Sequence, residues 1–79
     1  MKYIIFEDFA GQAIPFIFPH KVAHADMREQ MPYSKIISAG YVELVDGKFR
    51  CHGGDAELNL PAREDDAACI TEFFTQSKL

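Results

Sequence analysis

Two histidines four positions apart, His20 and His24, and the adjacent pair Cys51-His52 are the groups in this sequence whose types and spacing bear on chemistry. On a helix, imidazoles at i and i+4 lie on one face and can share a metal ion, with a thiolate among the further ligands. Cys51 and His52 are neighbours in what reads as a strand, so they point to opposite faces, and only Cys51 can join the helix histidines. His20, His24 and Cys51 then form an incomplete ligand set, with no carboxylate in sequence placed to complete it. The expectation is that no metal is held and that both histidines border an apolar stripe, bonded to backbone. Cys51 also raises nucleophilic catalysis, which needs an accessible thiolate beside a base or a helix N-terminus. Its place opposite Val42, on the apolar side of a hairpin, makes it a small hydrophobe instead, and Cys69 beside Phe73 reads the same way. A small metal-binding or thiol-dependent enzyme using His20, His24 and Cys51 stands as the alternative reading.

The remaining motifs carry less. His52-Gly-Gly-Asp55 lacks the lysine and further glycine of a phosphate-binding loop and reads as a turn. Ser34, Ser38 and Ser77 lie outside any G-x-S-x-G elbow, and neither H-E-x-x-H nor D-x-D-x-D-G occurs. No catalytic residue and no cofactor are expected. What is left is surface: Tyr41, Glu43, Arg50 and His52 fall on the polar side of a hairpin, and tyrosine and arginine are enriched at binding hot spots. These four residues are the candidate partner-binding site, for a protein partner or for self-association as a homodimer. The acidic run Glu64, Asp65, Asp66 is a competing location for a basic partner, although stabilisation of the helix dipole accounts for it.

The elements that position these groups follow from local pattern. Residues 2–7 (KYIIFE) and 12–18 (QAIPFIF) read as strands joined by a loop with Asp8 and Gly11, and Pro15 confines the second strand to an edge or a bulge. Between Pro19 and Pro32, HKVAHADMREQM reads as a helix of about three turns with His20, His24, Met27 and Met31 on its inner face. Lys35–Gly40 leads into Tyr41–Val45, and Asp46-Gly47 before Lys48–His52 is the preferred type I′ hairpin turn, with Gly40 a natural place for a bend. In that register Glu43 faces Arg50 as an opposite-charge pair, while Val42, Leu44, Phe49 and Cys51 share the apolar face. From Pro61 a last helix runs with Glu64, Asp65 and Asp66 in its first turn, Ala67, Ile70, Phe73 and Phe74 inward, and Lys78 at its end; Leu58 and Leu60 cover one edge of the core.

The expected fold is one α+β domain over residues 1–79, in the order ββαββα, an antiparallel-rich four-stranded sheet with two helices on one face. Its single core combines Ile4, Phe6, Phe16, Met27, Met31, Val42, Leu44, Phe49, Cys51, Ile70 and Phe74. The other face is left open, with residual apolar surface from the first two strands. Eight Lys and Arg against twelve Asp and Glu, a net charge of −4, argue against nucleic-acid or anionic-membrane partners. Apolar runs stop short of the roughly 20 residues of a membrane span, and Glu7 and Asp8 interrupt the first run too early for a signal peptide. Two cysteines without C-x-x-C spacing read as reduced thiols, so a cytoplasmic location is expected.

The spaced motifs FP-x-x-x-x-H, SAGYVEL, CHGG and LNLPARED-D give the chain a resemblance, over nearly its whole length, to short phage and prophage proteins without assigned activity. That resemblance implies bacterial cytoplasm and an accessory role, and no catalytic residue transfers from it.

Overall fold

The computed structural model describes residues 1–55 and 60–76. At its centre is β1, Lys2–Glu7, in which the consecutive residues Tyr3, Ile4, Ile5 and Phe6 are all fully buried. β1 pairs antiparallel with β2, Ala13–Phe18, and with β3, Lys35–Val45. β3 pairs in turn with β4, Lys48–His52, so the sheet order is β2-β1-β3-β4. Helix α1 is His24–Gln30, a two-strand ladder of β5, Gly54–Asp55, and β6, Leu60–Pro61, follows β4, and helix α2 is Asp66–Gln76. The α+β class and the ββαββα order of the main elements are those read from the sequence, with the short β5–β6 ladder added. No helix among the described residues is long and apolar enough to cross a membrane.

The two helices do not share a face, which corrects the expected one-sided arrangement. Tyr3 and Ile5 point to one side, where they pack with Val42 of β3 and with Ile70, Cys69 and Phe74 of α2. Ile4 and Phe6 point to the other, where Phe18, Ala39, Met27 of α1 and the following Met31 meet them. The reason lies in β1: successive side chains alternate, so a sheet covered on one side would expose half of this apolar run, at about 1.5–3 kcal/mol per large side chain. The single expected core is two cores flanking one sheet. Leu44 belongs to neither. It is 58% exposed, while its cross-strand neighbour Phe49 is the one that packs on Phe74 of α2.

Local chemistry shapes the rest. Asp46 and Gly47 have φ of 52° and 76°, the paired left-handed residues of the expected type I′ turn, and the β3–β4 register is the expected one from Tyr41↔His52 to Val45↔Lys48. Pro15 sits in edge strand β2, opposite Ile5, where the missing N–H is tolerated. The bulge in β3 comes at Ile37, since Ile5 pairs with Ser38 and Phe6 with Ile36; it therefore precedes Gly40, where the sequence suggests a bend. Gly40 instead permits close approach: a Cβ there would lie 2.9 Å from the His52 carbonyl oxygen.

Both helices are shorter than expected. Residues 19–22 form a turn, with the Val22 N–H donating to the Pro19 carbonyl at 3.1 Å, and α1 starts only at His24 after an extended Ala23. α2 starts at Asp66 rather than at Pro61, because Arg63 and Asp66 close the chain's entry into the helix between themselves. Leu58 and Lys78, assigned a core edge and a helix end from the sequence, lie outside the described residues.

Candidate functional site

Tyr41 leaves β3 on the α1 side of the sheet, since its neighbour Val42 packs on the α2 side. Three imidazoles meet its ring, each with centroids 5.8 Å away. His52 of β4 stacks nearly parallel at 19°, His20 of the turn before α1 tilts by 39°, and His24 stands edge-on at 88°. His24 is buried and donates from Nε2 to the Gly40 carbonyl at 2.9 Å, so it fixes the wall of the patch. Gly53, at φ +67°, passes close to the same ring; a Cβ there would lie 3.2 Å from Tyr41 Cδ2.

The four expected partner-binding residues therefore share one face and one ribbon. Glu43 and Arg50 are cross-strand neighbours as expected, but the Glu43 carboxylate turns to His52, with Oε1 3.6 Å from Nε2. Among the described residues no carboxylate forms an ion pair with Arg50 or with Lys48, both exposed. The structure adds His20, a residue assigned from the sequence to a buried helical stripe. Its turn, not a helix, carries it to Tyr41.

The ligand set weighed from the sequence does not assemble. His20 and His24 lie on the α1 side, whereas Cys51 packs into the α2-side core, so the sheet itself separates them. No group of three or more His, Cys, Asp or Glu among the described residues is arranged to hold a metal ion. The Cys51 thiol is pushed up to about 11, mainly by burial and next by the charge of Asp66, so it is protonated at neutral pH. Burial also raises Cys69, which borders a cleft of about 310 Å³ between the β1–β2 loop and α2, beside Glu72 and Phe73. Neither thiol has the depressed pKa of a nucleophile.

A second polar constellation was missed from the sequence. Asp66, expected as a solvated first-turn acid beside Glu64 and Asp65, is fully buried. Its Oδ1 accepts from Ser38 Oγ at 2.8 Å and from Arg63 Nε at 2.9 Å; its Oδ2 accepts from the Arg63 backbone N–H at 2.8 Å and from the Tyr3 hydroxyl. Burial, then the bond and charge of Asp66, push the Tyr3 phenol well above its ordinary range. This is a structural clamp: it ties β1, β3 and the start of α2 together with every acceptor site engaged and no side open to a substrate. The R-x-x-D spacing, in which a carboxylate reaches back to the N–H three residues earlier, is the signal that reveals it. A tyrosine inside the β1 apolar run also needs a partner for its hydroxyl.

No family model, curated protein or solved structure matches this chain.

Proposed function

We propose that this protein is a non-catalytic interaction module, acting in the bacterial cytoplasm as a phage or prophage accessory protein through contact with a protein partner. The observation that carries the reading is the preformed patch on the β3–β4 ribbon: Tyr41 in contact with His20 and His52, with Arg50 lacking an ion-pair partner among the described residues. An aromatic ring already fixed by its neighbours loses little freedom on binding, and an arginine without an internal partner is available to one outside. Self-association has less support than the sequence suggested, because the apolar residues of β1 that motivated it lie beneath the two helices. The high thiol pKa of Cys51 disfavours the thiol-enzyme alternative.

The test is capture from a bacterial lysate by the wild-type chain and by Arg50→Ala and His52→Ala variants, whose exposed positions leave the cores intact. A protein retained by the wild type and lost from both variants supports the module. Equal retention by all three would remove the ribbon as the binding face.

A further inference from the structure

Resting on the ribbon as the binding face, we infer that β4 accepts an extended partner segment as a fifth strand, and that this segment alternates acidic with apolar residues. The sheet ends in two edges, β2 and β4. β2 carries Pro15 in its middle and so lacks one donor for a further ladder. β4, Lys-Phe-Arg-Cys-His, holds neither proline nor glycine, and among the described residues no strand pairs with its outer side. An edge of this kind is a template for strand addition, in which main-chain bonds supply affinity and alternate side chains supply selection.

The two faces of β4 define what is selected. Lys48, Arg50 and His52 project on the α1 side, in register with Val45, Glu43 and Tyr41. Glu43 is already turned to His52, which leaves Lys48 and Arg50 without an acidic partner among the described residues. On the α2 side Phe49 is half-buried against Phe74, and its cross-strand neighbour Leu44 is exposed. An added strand would thus place acidic residues beside Lys48 and Arg50 and apolar residues beside Phe49. A second copy does not fit: antiparallel pairing of two β4 strands about Arg50 sets Arg50 against Arg50, and like charges directly opposite are destabilising. The chain's net charge of −4 does not prevent an acidic segment from docking, because charges more than about 8 Å away are screened at physiological salt.

The test is titration of isotope-labelled full-length protein with the end-capped peptide Glu-Val-Glu-Val-Glu-Val-Glu, followed by amide chemical shift and hydrogen exchange. The expected result is that shifts concentrate at residues 48–52 and that the outward amides of β4 become protected. Binding should weaken at least tenfold in Lys48→Glu/Arg50→Glu, whose folding is verified by its own spectrum, and fail with the Lys-for-Glu peptide. Shifts spread elsewhere, equal binding by the double variant, or a single-stranded oligonucleotide moving the same amides would overturn the inference. A captured partner that depends on Arg50 yet is not displaced by the peptide would refute strand addition while leaving the interaction module standing.

Discussion

Replacing Asp66 tests whether the buried clamp holds the two cores in register. The carboxylate receives two donors on each oxygen: Ser38 Oγ and Arg63 Nε on Oδ1, the Tyr3 hydroxyl and the Arg63 N–H on Oδ2. Asparagine is close to isosteric yet cannot reproduce this. Whichever way its amide is turned, the NH₂ faces one N–H of Arg63, and an N–H, unlike a hydroxyl, cannot reverse to accept. The less damaging orientation sets NH₂ toward Arg63 Nε, because the Arg63 side chain is 39% exposed and can swing into water. Ser38 then rotates to accept, and the loss reduces to one charge-assisted bond and the charge itself, about 2–3 kcal/mol.

Alanine removes every acceptor at once and strands two buried hydroxyls and a backbone N–H, so the expected loss is about 4 kcal/mol. A domain of 79 residues holds only about 4–12 kcal/mol in all, which puts Asp66→Ala near the limit of folding. Adding Tyr3→Phe to Asp66→Ala should restore about 1–2 kcal/mol, because removing both partners relieves a stranded donor. Urea unfolding followed by circular dichroism measures these three variants and Tyr3→Phe alone. An Asp66→Asn variant within about 0.5 kcal/mol of wild type, or a Tyr3→Phe change that costs stability equally in both backgrounds, would refute the clamp.

Other outcomes follow from the geometry. Gly40→Ala should lose about 1–3 kcal/mol, since the new methyl would lie 2.9 Å from a backbone oxygen of β4. Gly47→Ala has open space but a φ of +76°, so it should lose about 1–2 kcal/mol without disturbing the Tyr41 and His52 resonances that Gly40→Ala should shift. Leu44→Ser should stay within about 0.5 kcal/mol of wild type in thermal unfolding, whereas Ile70→Ala should lose about 2–5 kcal/mol. For pH, the folded chain binds the Cys51 proton more tightly than the unfolded chain, with a pKa raised from 9.0 to about 11. That contribution is complete below pH 9 and is lost as pH rises toward 11; a pH series of melting temperatures should show the decline, shallower in Cys51→Ala.

How much of this was legible depends on the range of the interactions. The β3–β4 hairpin could be read residue by residue because Asp46-Gly47 and the alternation around it are local and agree with each other. The inner residues named from the sequence are nearly all buried or half-buried, with Leu44 the exception, but their division into two cores was not visible. That division depends on which face of β1 each helix covers, and the pattern of a helix is silent on this. His20 shows a similar limit: an i, i+4 pair suggests one helical face, while Pro19 and an uncapped Ala23 delay the helix until His24. Asp66 looked like a solvated acid because it stands third in an acidic run, and the R-x-x-D spacing that marks it as a cap does not by itself say that it is buried. Its burial is decided by the donors of Tyr3 and Ser38, 63 and 28 residues away.

The two-sided burial of β1 also determines where a partner can reach the sheet. α1 has seven residues and so is only about 10 Å long; it reaches the β3–β4 ribbon through His24 at Tyr41 and leaves Glu43, Lys48 and Arg50 exposed. The ribbon's edge strand β4 carries Lys48 and Arg50, exposed cations on the edge of an otherwise acidic chain. Such cations guard an edge against pairing with its own copies, and the same charges select an acidic strand. Protection and recognition therefore require the same two residues. Neutralising Lys48 and Arg50 together should weaken capture of an acidic segment and also increase concentration-dependent self-association, measurable by sedimentation. A variant that loses the first without gaining the second would show that the charges serve recognition alone.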